Sequence, residues 1–172
     1  MMNSVISVRH NVKSIVLADC QDSISNIDYT YHDISNPLPF PDSSFDVLTS
    51  SVSLPLVGLA RYGDNLDANC LPNFVKELGR VMSKDCDLII SMCLGPNLLA
   101  FNNGWFLDIE AIKNIFKDWI IVDKLVDSWS SPYGNKKRGT VETRFTTDTN
   151  VNDIPIGDYH VIFLHFRRVT HK

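Results

Sequence analysis

Apolar residues fall in short blocks along the chain, and their spacing switches between two periods. Ser14-Ile15-Val16-Leu17-Ala18-Asp19 is an apolar run closed by an acid, and its length and β-branched content predict a buried strand. Asp28-Tyr29-Thr30-Tyr31-His32 alternates as a second short strand would. Residues 33–41 carry Pro37, Pro39 and Pro41. Proline has no N–H and a fixed φ, so this stretch fits neither a regular helix nor a central strand. Val47-Leu48-Thr49-Ser50-Ser51 repeats the short-strand pattern, and residues 52–69, with Pro55, Gly58 and Gly63, read as irregular.

From Leu71 the period lengthens. Phe74, Val75, Leu78, Val81 and Met82 share one face at helical spacing, with Lys76 and Arg80 off it and Pro72 in the first turn. Asp87-Leu88-Ile89-Ile90-Ser91-Met92-Cys93 is the clearest strand, and Gly95-Pro96 ends it. Asp108 is placed to cap a helix that turns Ile109, Ile112, Ile115 and Phe116 inward. Trp119 to Val122 reads as a strand, residues 130–152 as a surface loop or ragged hairpin, and residues 159–166 as a last strand. In that strand His160 and His165 face opposite sides, because side chains alternate. Strands alternating with helices predict one α/β domain over 1–172 with a mostly parallel sheet. Such sheets hold ligands outside the carboxyl ends of their strands. The candidate segments are therefore 19–22, 33–37, 50–67 and 92–103.

Composition narrows the function classes. Of 172 residues, 44% are hydrophobic and 21% charged, which is a globular balance. The net charge of -4 leaves no broad basic surface, so no nucleic-acid partner is expected. Lys136-Lys137-Arg138 reads as a solvated loop tip. No run of about 18 apolar residues exists, and the first residues lack a signal-peptide pattern, so neither a membrane partner nor export is expected. Cys20, Cys70, Cys86 and Cys93 form no Cys-x-x-Cys pair and stand apart from the five histidines. They read as reduced thiols of a cytoplasmic protein, with no metal site.

Asp33-Ile34, then Pro37-Leu38-Pro39-Phe40-Pro41-Asp42-Ser43-Ser44-Phe45-Asp46-Val47-Leu48, resembles the middle of a class I S-adenosylmethionine (SAM)-dependent methyltransferase. There an acid-containing turn precedes Leu-Pro-Phe, and Ser-Phe-Asp opens the fourth strand. Glu77-Leu78-Gly79-Arg80-Val81-Met82 is similar to the Glu-x-x-Arg-Val-Leu helix before the fifth strand. Val57-Gly58-Leu59-Ala60-Arg61-Tyr62-Gly63-Asp64 resembles a signature of a methyltransferase-like family of unknown function first noted in nematode proteins. Leu94-Gly95-Pro96 and Phe101-Asn102 match further elements of it. The likeness runs from about Ile15 to Phe116 and returns at residues 159–167. Several family features have no counterpart. The first strand and its Gly-rich loop are absent, since only Val5-Ile6-Ser7-Val8 precedes the strand of Asp19. The family's Glu-His is replaced by Pro55-Leu56, and its Ala-His-Arg by Asn103-Gly104-Trp105.

The resemblance implies a Rossmann-like methyltransferase sheet, truncated or degenerate at its N-terminus, with SAM as cofactor. Asp19 would meet the ribose hydroxyls, Asp33 the adenine amino group and Ile34 the face of the ring. Ser50 and Ser51 would close the fourth strand near cofactor and acceptor. Arg61 and Asp64 are the candidates for chemistry, Arg61 as a clamp on an anionic acceptor and Asp64 as its orienter or a base. The bland readings stand beside these: a solvated strand-end acid at Asp19, an Asx turn at Asp33, a strand-end cap at Ser50 and Ser51, and an Arg61–Asp64 pair within a loop. A serine hydrolase would need Gly-x-Ser-x-Gly, which is absent. The acceptor implied is a small molecule, a sugar or a glycan precursor. Two alternatives remain open, an inactive relative serving as a protein-interaction module and a fragment that needs an N-terminal unit. A sheet without its first strand has an exposed edge, which a second copy or a partner protein would cover.

Overall fold

The computed structural model describes residues 14–17, 27–30, 32–60, 64–100, 103–129, 144–146 and 159–168. Within them, β1 (Ser14–Leu17) and β2 (Ile27–Thr30) pair in parallel as a two-stranded sheet. A second sheet holds β3 (Phe45–Ser51), β4 (Met82–Leu94), β7 (Trp119–Trp129), β8 (Arg144–Thr146) and β9 (Tyr159–Arg168). Its spatial order is β3-β4-β9-β7-β8. β5 (Leu98–Ala100) and β6 (Gly104–Phe106) make a small antiparallel hairpin. Two helices, α1 (Cys70–Val81) and α2 (Ile109–Ile115), follow β3 and β6.

The larger sheet is mixed rather than mostly parallel. β3 and β4 run in parallel, but β9 lies antiparallel between β4 and β7, and β8 is antiparallel to β7. A parallel neighbour needs a long crossover, usually helical. For β3 and β4 the crossover is α1, which spans the connection between them.

The helical period of the sequence survives almost unchanged. Phe74, Val75, Leu78 and Val81 of α1 are buried. Met82 shares their burial but has left the helix: its backbone is extended, and it pairs with Phe45 as the first rung of β3–β4. Asp108 caps α2 as the pattern predicts, its Oδ1 accepting the Ala111 N–H at 2.7 Å. The ring of Phe116, just past α2, stacks on Phe166 of β9 with centroids 4.8 Å apart. Leu88, Ile90 and Met92 of β4 join Ile162, Leu164 and Phe166 of β9 in the same core.

The other face of the sheet is barer. Val47, Ile89, Phe163 and Leu125 are 55%, 47%, 40% and 38% exposed. The register sets them one strand apart in a diagonal ridge across β3, β4, β9 and β7. Beside the ridge, Asp87 Oδ1 accepts from Arg167 Nε at 3.0 Å and meets His165 Nε2 at 2.6 Å. His160 is buried at the opposite face, so the two histidines diverge as their spacing predicts. No helix among the described residues is long and apolar enough to cross a membrane.

Candidate site at the carboxyl ends of the strands

The Pro-rich stretch before β3 is held in place by α1. Glu77 Oε1 accepts the Leu38 N–H at 3.1 Å. Arg80 donates to the carbonyls of Leu38 at 2.9 Å and Phe40 at 2.7 Å, to Asp42 Oδ1 at 2.9 Å, and to Glu77. Proline removes the N–H groups that would have tied this segment into a sheet, so side chains supply the ties instead. The Glu-x-x-Arg pattern is therefore a clamp on residues 38–42. The Arg80 hydrogen bond holds the Glu77 carboxyl below its ordinary pKa.

Asp33 and Ile34 stand at the start of the clamped segment. Asp33 Oδ1 accepts the Ser35 N–H at 2.9 Å, and its carbonyl accepts the Asn36 N–H at 3.0 Å. That is an Asx turn. It leaves Oδ2 as the oxygen that an external donor would use. Ile34 is half-buried and packs against the core.

The signature at residues 57–64 has a structural explanation at both ends. Gly58 has φ +71, and a Cβ there would sit 2.3 Å from the Asp67 carbonyl oxygen and 2.5 Å from Cys70 Cβ. Only glycine meets both demands. Asp64 Oδ2 accepts the Leu59 N–H at 3.0 Å, and Gly58 O accepts the Asp67 N–H at 2.9 Å, so the loop closes on itself. Arg61, Tyr62 and Gly63 lie outside the described residues, as do Asp19 and Phe101-Asn102.

The structure gathers three acids around the start of α1. Burial raises the pKa of the Cys70 thiol above its ordinary value, and the charges of Asp67, Asp33 and Asp64 raise it further. Two of the sequence candidates, Asp33 and Asp64, thus belong to one electrostatic neighbourhood. Burial likewise raises the pKa of the Cys86 and Cys93 thiols, and with Cys70 they form no disulfide among the described residues. No group of His, Cys, Asp or Glu among the described residues could hold a metal.

β3 ends at this site in a sharp turn. Ser50 is half-buried and Ser51 exposed, and Ser51 O accepts from Ser53 Oγ at 3.3 Å. The next residue, Val52, has φ +52. A β-branched residue is rare there, and the conformation costs about 1–3 kcal/mol. Its N–H donates to Ser91 Oγ of β4 at 2.9 Å. A 3-10 turn at Leu54–Leu56 follows, and it buries Leu54 and Pro55. Gly95, just past β4, is packed closely: a Cβ there would lie 2.9 Å from Phe106 Cβ. The sequence reading passed over Ser91. The available signal was that it is the sole hydroxyl in the apolar run from Leu88 to Leu94.

No protein-family model matches the chain, and no curated protein matches it. Solved structures do. One, described as a methyltransferase from Bacillus halodurans, is 12% identical with TM-score 0.56, over 85% of this chain and 73% of its own. A second, described as a SAM-dependent methyltransferase from Thermotoga maritima, is 14% identical with TM-score 0.54, over 92% and 75%. The fold is that of the class I SAM-dependent methyltransferases. A third neighbour is the (4+2)-cyclase SpnF, 12% identical with TM-score 0.54, over 91% and 66%. Proteins of this fold are thus described with more than one activity. Across these and two further neighbours the chain spans between 46% and 75% of the other protein's length.

Proposed function

We propose that this chain is a SAM-binding, methyltransferase-like protein of a reducing cytoplasm, whose cofactor sits at the carboxyl ends of β1 to β4. The observation that supports this best is the methyltransferase fold over 85% or more of the chain. The residues present fit the group. Asp33 has a carboxylate oxygen beyond the one used in its turn, and Ile34 offers a half-buried apolar face beside it. An adenine needs such a pair, an acceptor for its amino group and an apolar surface for its ring.

In this reading Asp33 Oδ2 accepts from the adenine amino group, and Ile34 flanks the ring. Asp19 takes the ribose hydroxyls, and Ser50 and Ser51 line the place where the acceptor approaches. SAM supplies an electrophilic methyl group when bound. What the chain must add is alignment of the acceptor with it, since orientation carries much of such a barrier. Arg61 holds an anionic sugar or glycan precursor, and Asp64 orients that loop through its bond to the Leu59 N–H. The test is calorimetric titration with S-adenosylhomocysteine (SAH). Asp33→Asn keeps the acceptor for Ser35 but presents an NH2 donor to the adenine, so binding should be lost while the fold persists.

A second reading has its own support. Among the described residues, β3 pairs on its β4 side only. The ridge of Val47, Ile89, Phe163 and Leu125 adjoins that open edge. We propose that a second copy of the chain covers both, because one self-complementary patch suffices for a two-fold dimer.

A further inference from the structure

We infer that Ser91 is a positioning residue for the cofactor site, acting through Val52; this rests on the SAM-binding reading above. The parallel ladder of β3 and β4 runs to the pair Ser51 and Ser91. One residue later the main chain leaves the ladder, and the Val52 N–H is taken by a side chain, Ser91 Oγ, at 2.9 Å. Ser91 is 1% exposed, although it shares the sheet face of Ile89 and Phe163 rather than that of its core neighbours Ile90 and Met92. A hydroxyl in such a place loses its solvation, so it needs a hydrogen bond to be tolerated. Here that bond holds a valine in the left-handed region, where its own side chain disfavours it.

The consequence reaches the site. With Val52 left-handed, the chain turns at once into Ser53 and the Leu54–Leu56 turn. Pro55 and Leu56 then pack against Gly104, whose Cβ position lies 2.9 Å from both the Pro55 carbonyl and Leu56 Cδ2. If Val52 relaxed to an extended conformation, β3 would run on and carry residues 52–56 off the carboxyl end of the sheet. Ser50 and Ser51 would lose the turn that ends the strand beneath the cofactor. Ser91 touches no ligand in this account; it fixes the turn that ends β3 after Ser50 and Ser51.

Three variants test this: Ser91→Ala, Val52→Gly, and the two together. Glycine takes a left-handed φ without cost, so it should hold the turn without the hydroxyl. SAH affinity should fall about tenfold in S91A, the order that releasing a strained turn implies. It should stay near wild type in V52G and return in the double variant. A hydroxyl that only stabilises the fold would lower the melting temperature of S91A and leave SAH affinity unchanged, which overturns the proposal. So does an S91A loss that V52G fails to restore. Amide exchange at Val52, read without ligand, separates this from failure of the cofactor reading. Protection at Val52 should disappear in S91A. Intact protection overturns the role of Ser91. Lost protection in a chain that binds no SAH at all leaves the turn as described and overturns the cofactor reading, and with it the positioning role.

Discussion

Gly58 shows how much one residue can constrain. Its φ is positive, and a Cβ there would sit 2.3 Å from the Asp67 carbonyl oxygen, so there is no room for a side chain. Gly58→Ala should therefore destabilise the chain by about 2–4 kcal/mol, read as a lowered denaturation midpoint at unchanged slope. A shift within experimental scatter would mean the loop yields easily. The same scale shows what the sequence could tell. Asp108 was legible as a cap because an N-cap is a local contract between neighbours three residues apart. Asp33 was legible both as a site acid and as an Asx turn, and the structure has the turn. Ser91 was not legible, because its partner Val52 is 39 residues away and joins it only through the β3–β4 register.

At the scale of elements, α1 and the Pro-rich segment form a unit. Glu77 has a depressed folded pKa, chiefly from its hydrogen bond with Arg80. A carboxylate of that kind stabilises the fold above its unfolded pKa, and the stabilisation is lost as pH falls through the lower, folded value. Asp87, depressed by His165 and Arg167, acts with the same sign. The melting temperature should therefore fall as pH drops below about 4.5, the ordinary value for Glu. Glu77→Gln keeps an acceptor for the Leu38 N–H, and it should melt lower at neutral pH with a shallower acid slope. An unchanged slope would show that Glu77 contributes little. Helices and the central strand were readable from period alone, since burial of one face enforces it. Strand direction was not. Alternating elements suggest a parallel sheet, and the apolar pattern of residues 159–166 reads the same for a strand of either direction, so the antiparallel insertion of β9 between β4 and β7 left no mark in it. The β5–β6 hairpin was missed because three-residue strands are too short to show alternation.

At the scale of the whole molecule, the larger sheet has a bare ridge on one face and, among the described residues, a β3 edge that pairs on its β4 side only. If a second copy covers it, sedimentation should give a mass that rises with concentration, and Ile89→Lys should return a folded monomer. A monomer at every concentration would contradict that reading without touching the cofactor site. The likeness to the methyltransferase fold was legible because the Glu-x-x-Arg pattern sits on a backbone constraint, the clamp of Glu77 and Arg80 on residues 38–42; Gly58 and Gly95 are likewise fixed by close packing. Those constraints specify a fold, and the fold by itself does not specify an activity. The cofactor decides. The most direct measurement is calorimetric titration of the folded chain with SAM and SAH. Micromolar binding of both, abolished in Asp33→Asn with the fold intact, is the expected result. A folded chain that takes up neither would contradict the account.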